Sequence, residues 1–287
     1  MQIGIGLPTT VPGTEGSAVV RWARRAEERG FSSLGVLDRI VYDNYEPLIA
    51  LAGAAGATER IRLATTILIA PSRVDATLLA KQAASVDRLS GGRLTLGMAV
   101  GGRPDDFEVA GAPMENRGAR FEEMIEEMKK IWGGESRGTA GPIGPRPLDG
   151  GPELIIGGRA PGAFRRAATY GSGWIAGGGD PRSYPEAAEQ VRAEWKRQGR
   201  EGVPRLLALA YFSLGPRAAE NARTYLPDYY GFMGLTPDMA EGMALTDPDA
   251  ARQVVDTYAA GGCDELVIFP CSADLDQVDL LADAVLK

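Results

Sequence analysis

The chain has 287 residues, of which 44% are hydrophobic and 24% charged; its net charge is −7 and it contains no histidine. The acidic balance argues against nucleic acid or an anionic membrane as partner, and no apolar run approaches the ~20 residues that span a bilayer. The missing imidazole excludes Ser-His-Asp triads, histidine metal ligands and histidine general bases, so proton transfer falls to Asp, Glu, Lys, Tyr or Cys.

The opening MQIGIGLPTT has neither a basic n-region nor a long apolar h-region, so the expectation is a cytoplasmic protein without a signal peptide. Gln2–Leu7 reads as the first strand. It leads into Pro8-Thr9-Thr10-Val11-Pro12-Gly13 rather than a G-x-G-x-x-G turn, which argues against a dinucleotide fingerprint. Val19 to Arg29 is a helical pattern that Gly30 can end in the left-handed conformation. Ser32–Leu37 is the second strand.

The stretch from Ile61 to Gly102 is the most regular. An apolar, β-branched run over Ile61–Ile69 stops at Pro71, a helical pattern follows, Ser90-Gly91-Gly92 makes a turn, and Arg93–Val100 is a second apolar run. Strand, helix, turn, strand is a βαβ unit, and near-continuous apolar strands are those covered on both faces. In the intervening helix Leu78, Leu79, Gln82, Ala83, Val86 and Leu89 are assigned to one face. After the fourth strand Phe121, Met124, Ile125, Met128, Ile131 and Trp132 share another, with Glu126 and Lys130 as an exposed pair one turn apart.

Four more strands are predicted at Glu153–Gly157, Gly173–Ala176, Arg205–Ser213 and Glu265–Phe269. Helices are predicted over Ala160–Tyr170, Pro185–Gln198, Pro248–Ala260 and Asp274–Leu286. Eight β-then-α units fit a single (β/α)₈ TIM barrel over residues 1–287; a doubly wound sheet of six or seven strands is the alternative. Two irregular segments, Gly133–Pro152 and Tyr229–Asp247, are read as candidate lids near the C-terminal mouth; the alternative is ordinary surface connections, and for Gly133–Pro152 the two readings stand level. Cys263 and Cys271 lack metal-type spacing and are expected to be buried, reduced thiols; no metal site is expected.

Four segments in order give the chain a resemblance to the luciferase-like flavin-dependent oxidoreductases: AEERGFSSLGVLDR (Ala26–Arg39), RIRLATTILIAPSR (Arg60–Arg73), LLAKQAASVDRLSGGRLTLGMAVGG (Leu78–Gly102) and LIIGGRAPGAFRRAATYGSGWIAGG (Leu154–Gly178). That family includes bacterial luciferase, two-component flavin monooxygenases and relatives that use the deazaflavin coenzyme. The resemblance implies a bacterial-luciferase-like barrel. It also implies a cofactor, either reduced FMN supplied by a partner reductase or the deazaflavin, and a flavin or deazaflavin reductase as the candidate partner.

On this resemblance the flavin phosphate lies at Gly157, Gly158, Arg159 and Ala160, where the fifth strand turns into a helix, with Gly177 and Gly178 beside it. Glycine turns let backbone N–H groups approach an anion, and a helix N-terminus adds favourable partial charge; read without the family, the same glycines can simply make tight turns. The resemblance further implies a cis peptide at Thr66–Ile67 under the ring, and adds Ser72, Gly101 and Asp105 to the cofactor-facing set. Where relatives carry Asp-His or Ser-Asp-His this chain has Asp38-Arg39-Ile40, and Ser72-Arg73 is followed by Val74 rather than histidine.

Asp38, Arg39 and Arg73 are therefore the candidate catalytic residues. Asp38 at an apolar mouth is expected to have a raised pKa, with Asp106 or Tyr42 as fallback; it can equally serve only to cap the loop or to hydrogen-bond a backbone amide. Arg39 and Arg73 suit orienting an anionic substrate; Arg39 can equally be a surface residue at a loop start. Three functions follow: a monooxygenase using reduced FMN and O2 on a small organic substrate, a deazaflavin-dependent hydride-transfer enzyme, or a non-catalytic flavin-binding protein. The resemblance also implies a homodimer, for which the small residues Ala50, Ala54, Ala55 and Ala57, and Ala80, Ala83 and Ala84, would permit close helix approach.

Overall fold

The computed structural model describes residues 1–139 and 141–286. Its elements begin β1 (Gln2–Gly6), α1 (Gly16–Arg29), β2 (Ser33–Val36), α2 (Pro47–Ala55), β3 (Arg62–Ile69), α3 (Ala76–Ser90) and β4 (Leu94–Ala99). Next come α4 (Pro104–Val109), α5 (Arg117–Gly133), β5 (Glu153–Gly157), α6 (Pro161–Tyr170), β6 (Gly173–Ala176), α7 (Tyr184–Arg197) and β7 (Arg205–Phe212). The chain finishes with α8 (Ala218–Tyr230), α9 (Pro237–Glu241), β8 (Ala244–Leu245), α10 (Pro248–Ala260), β9 (Glu265–Pro270) and α11 (Asp276–Val285).

All strand pairings in the sheet are parallel, and it closes: β6 pairs with β7, β7 with β9, and β9 with β1. Eight strands make the barrel, as expected. The two-residue β8 is an addition, hydrogen-bonded to the C-terminal end of β7 at Tyr211 and Phe212. The helices start where the local chemistry allows. The Asp75 carboxylate accepts from the amides of Thr77 and Leu78 at the start of α3, and Asp247 does the same for α10. Gly30 ends α1 at φ 87°, a conformation that favours glycine.

One helical face differs from the expected one. Leu78 and Leu89 are 52% and 68% exposed, while Leu79, Ala80, Ala83, Ala84 and Val86 are buried. At about 3.6 residues per turn, Leu78, Gln82 and Leu89 form a stripe opposite the core face, so the periodic apolar pattern on α3 comprises two faces rather than one. In α5 all six expected core residues are buried. The alanines expected to meet a second copy are used within the chain: Ala50, Ala54, Ala55, Ala80, Ala83 and Ala84 are all buried, and Ala57 half-buried, where α2 and α3 pack on the barrel.

The segment Gly133–Pro152 is not a mouth lid. It joins the lower end of α5 to the start of β5, an αβ connection at the N-terminal end of the barrel. Its described residues lie along α3: Lys81 Nζ donates to the Gly144 carbonyl at 2.6 Å, and the Leu148 amide to the Asp87 carboxylate at 2.7 Å.

At the N-terminal end the first inward positions of the strands carry charge. Arg62 Nη2 donates to the Glu153 carboxylate and to Thr95 Oγ1 at 2.8 and 2.6 Å. Arg205 bridges Glu153 and Glu265. Glu265 Oε1 also accepts from the hydroxyls of Ser32 and Ser33, both at 2.6 Å. Above this plug Ile155, Ile175 and Leu207 cluster inside the barrel, with Val267 and Phe269 filling the other half. Phe269 occupies the room left by glycine: a Cβ on Gly6 would stand 2.2 Å from its ring.

Candidate functional site

The C-terminal mouth opens into a cavity of about 390 Å³. Its floor and walls are Leu37 after β2, Thr66, Ile67 and Ile69 of β3, Phe107 of α4, Gly177 and Gly178 after β6, and Leu209 of β7. The segment after β7 roofs it with Tyr229, Tyr230, Phe232 and Met233, so Tyr229–Asp247 does reach the mouth. A second cavity of about 430 Å³ adjoins across Gly178 and is lined by Gly179 to Arg182, Tyr211, Met243 and Tyr258 among others. The Thr66–Ile67 peptide is cis, at the position that the family resemblance implied.

Asp38 also lines the mouth cavity and is buried. One carboxylate oxygen accepts from the Ile69 amide at 2.7 Å, and the other from Arg73 Nη2 at 2.9 Å. Burial disfavours its charge and pushes the carboxyl up to about 6, although Arg73 and the Ile69 amide pull the other way and Glu46 and Asp106 add to the rise. The expected raised pKa is thus found, with desolvation as its main cause. Tyr229 remains a phenol: burial, reinforced by Tyr230 and Asp38 and opposed by Arg103, holds it well above its ordinary value.

Arg39 and Arg73 do not face the cavity. Arg39 is buried, with Nε donating to Asp106 at 3.1 Å and Nη2 to Asp105 at 2.7 Å and to the Val41 carbonyl at 2.9 Å. Asp106 in turn accepts from the amides of Ile40 and Val41. This knot ties the loop after β2 to α4, and it occupies Asp105 as well as Arg39. Arg73 bridges Asp38 and Glu46, the latter at 3.2 Å, behind the cavity wall. Ser72 is buried in the turn after β3 and donates to the Ile69 carbonyl at 2.8 Å.

The glycine-rich elements sit at the same end. The Gly101 carbonyl accepts from Arg117 Nε at 3.0 Å, and Gly158 has φ +126°. Gly157 packs on Ile67, and the Gly158 carbonyl accepts from Trp174 Nε1 at 2.7 Å. Ala160 is the residue before α6, and its carbonyl accepts from the Ala163 amide. Arg159 reaches over the end of β6: Nη1 donates to Ser183 Oγ at 3.1 Å and Nη2 to the Gly177 carbonyl at 3.2 Å. Among the described residues no carboxylate pairs with Arg159, so its charge is open to an anion from outside the chain. Of the expected cofactor residues, Thr66, Ile67, Gly177 and Gly178 line the mouth cavity itself; Gly157 to Ala160, at the end of β5, are outside its lining, with Arg159 reaching to the Gly177 carbonyl.

The residues that sequence reasoning missed come mainly from two places. Arg103 follows Gly101-Gly102, and Tyr229, Tyr230, Phe232 and Met233 form the run YYGFM inside a segment read only as a lid. That aromatic run was the available signal. Its meeting with Arg103, 126 positions earlier, was not legible.

A closed parallel barrel with its cavity at the C-terminal strand ends defines a (β/α)₈ protein whose site is built from the βα loops. The chain belongs to the luciferase-like monooxygenase family, whose model matches residues 1–262. It is 33% identical over 194 residues to an uncharacterised protein of Mycobacterium tuberculosis; the match covers 55% of this chain and 65% of that relative's length. The crystal structure of the monooxygenase RslO1 from Streptomyces bottropensis superposes with a TM-score of 0.81 at 23% identity, over 100% of this chain and 99% of that one. An F420-dependent secondary alcohol dehydrogenase, solved with an F420-acetone adduct, also gives a TM-score of 0.81, at 17% identity over 99% of this chain and 98% of that one. These two likenesses establish the barrel fold.

Proposed function

We propose that the chain is a luciferase-like flavin-dependent oxidoreductase, and that it acts as a monooxygenase using reduced FMN and O2 on a small organic substrate. The observation that carries this reading is the mouth cavity, with apolar walls, an aromatic roof and two lining carboxylates: Asp106, which is tied to Arg39, and Asp38, which burial pushes up to about 6. The residues fit a flavin: the Gly157–Ala160 turn opens α6 beside an arginine that has no carboxylate partner among the described residues, which suits a phosphate. Thr66, Ile67, Leu209 and Gly177 offer a flat, largely apolar wall for a ring.

When bound, reduced FMN would supply electrons for oxygen activation, and a deazaflavin would supply a hydride. The chain's own residues exclude water and manage the proton. Leu37, Ile67, Phe107, Leu209 and the roof of Tyr229, Phe232 and Met233 keep the site dry. Asp38 can give or take a proton close to neutrality, while the Tyr229 phenol stays protonated and serves as a hydrogen-bond donor.

A deazaflavin-dependent reductase is the second reading. Asp38 and Tyr229 favour it because a substrate receiving a hydride also needs a proton nearby. A reductase partner goes with either reading, a flavin reductase with the first and a deazaflavin reductase with the second. A homodimer is proposed with either, through the outward stripe of Leu78 and Leu89 on α3 together with Ile49 of α2, which are all exposed. Spectral titration of the protein with FMN and with the deazaflavin tests the function. Saturable FMN binding and oxygen uptake with reduced FMN are expected; binding of the deazaflavin alone selects the second reading. FMN binding with no turnover on a panel of ketones, aldehydes and aromatic acids would leave a flavin-binding protein.

A further inference from the structure

We propose that Arg103 is the receptor for an anionic group on the substrate, so that the substrate is an apolar or aromatic acid. The proposal deepens the reading above and rests on it for the substrate's presence at the mouth. Arg103 lies between β4 and α4 and lines the mouth cavity. Its guanidinium carbon stands 3.9 Å from the ring centre of Phe232, 4.7 Å from that of Tyr229 and 5.5 Å from that of Tyr230. Nη1 donates to the Tyr229 carbonyl at 3.0 Å. Three rings and one carbonyl fix the plane of the cation, and among the described residues no carboxylate pairs with it.

Two other arginines at this end, Arg39 and Arg73, are different. Arg39 holds Asp105 and Asp106, and Arg73 holds Asp38 and Glu46. The charge of Arg103 is felt by Asp106, yet Asp106 is already occupied by Arg39 Nε and two backbone amides. Burial makes the Arg103 charge costly and lowers its pKa. A partly desolvated cation with several donors unspent is stabilised by an anion, and a guanidinium can grip a carboxylate or phosphate with two parallel bonds. The rings pre-orient that fork, so less freedom is lost when the anion arrives. Beyond Arg103 the walls are Ile67, Ile69, Phe107 and Leu209, which suit an apolar body attached to the anionic head.

The same chemistry could come from the cofactor's phosphate, and the test separates the two sources. FMN-loaded protein is titrated with phenylacetate, with its neutral counterpart phenylacetamide and with inorganic phosphate, following the flavin absorbance band and the heat of binding. Phenylacetate is expected to bind about 10- to 100-fold more tightly than the amide, the worth of one charge-assisted pair. Arg103→Met should erase that preference and Arg103→Lys should keep part of it, with FMN affinity within about threefold of wild type in both. Equal binding of acid and amide, no binding of either, or a preference that survives Arg103→Met would overturn the proposal. So would loss of FMN affinity in parallel with loss of phenylacetate, which assigns the cation to the cofactor. If FMN fails to bind the wild type, the flavin reading falls by itself, and the same titrations on the unloaded protein, followed by heat alone, still decide the role of Arg103.

Discussion

The two ends of the barrel carry charged groups of the same kinds and differ in how far they neutralise them: at the mouth Arg39 and Arg73 are paired, but two further arginines are not. At the N-terminal end Arg62, Arg205, Glu153 and Glu265 neutralise one another across β3, β5, β7 and β9, and Thr95 and Ser33 satisfy remaining acceptor sites. Arg93 extends the pattern beneath the sheet, donating to the carbonyls of Ala55, Thr58, Ile61 and Ser90 and to the Thr58 hydroxyl. At the mouth, Asp38 is held by partners and still titrates near 6, while Arg103 and Arg159 have no carboxylate partner among the described residues. At the N-terminal end Arg62, Arg205, Glu153 and Glu265 each have a counter-charge, and among them only Arg62 Nε lacks an acceptor; at the mouth those two cations lack a counter-charge, and that is where a ligand can contribute. The contrast supports the proposal that function lies at the mouth, independently of any likeness.

The comparison can be broken most directly at Asp38. Asp38→Asn should retain FMN binding and lower turnover by about 10²–10⁴-fold if the carboxyl moves the proton. Steady-state rates within a few-fold of wild type would transfer that role to another group at the mouth, Tyr229 first.

At the opposite end the expected loss is in stability. Glu265→Leu leaves Arg205 without one of its two acids and Ser32 and Ser33 without their acceptor, and should cost about 3–5 kcal/mol in urea unfolding. The pair Glu265→Leu with Arg205→Met should recover much of it, because a removed pair costs less than a broken one. An unfolding midpoint unchanged in Glu265→Leu would show that the plug is ornamental to stability.

The pH response sharpens the contrast. The folded Asp38 pKa of about 6 lies above its ordinary 3.8, so the folded state binds this proton more tightly than the unfolded chain does. Its contribution to stability is complete below pH 3.8, is lost as pH rises through about 6, and amounts to about 3 kcal/mol. Asp38→Asn should flatten the stability profile across that window, and the wild-type turnover should show a limb with an apparent pKa near 6. A wild-type profile without that inflection would place the ionised form of Asp38 at ease in the fold.

Smaller effects are expected where the mouth meets the cofactor. Arg159→Ala should weaken FMN binding by about 10- to 100-fold. Gly158→Val should weaken it too, since Gly158 has φ +126° and a Cβ there would lie 2.9 Å from the Ala163 methyl. Unaltered titrations in both would remove the phosphate from this turn. The smallest effect concerns Val74, which follows Arg73 at φ 52°, a conformation β-branched residues rarely adopt. Val74→Gly should raise stability by about 1 kcal/mol by relieving that backbone; thermal unfolding at or below the wild-type midpoint would count against the strain.

Much of the scaffold was legible because parallel strands buried on both faces leave apolar runs of characteristic length. Each of the eight barrel strands was found within a residue or so of its expected bounds. The face of α3 was misassigned because Leu78 and Leu89 are as apolar as the buried Leu79; hydrophobicity marks an amphipathic helix but does not say which of two apolar stripes meets the sheet. For Gly133–Pro152 the structure selects the surface connection over the lid; the composition signals a loop and carries no information about which side of the barrel the loop crosses. At the site, Asp38 was reached from its position after β2. Arg39 and Asp105 were named as functional, and the fold spends them on each other.

The sequence by itself determined the βα alternation, the family, the absence of imidazole chemistry and the carboxylate expected to replace it, because these depend on residue type and on local periodicity. The tertiary structure decided which charges are neutralised and which remain available. Arg39, Arg73 and Arg103 are the same side chain in the sequence; they differ only in the residues brought to them from α4, from β2 and from the end of α8. Coulombic pairing, desolvation and cation–π contact fall off within a few ångströms, so the roles of these arginines exist only once the barrel has closed.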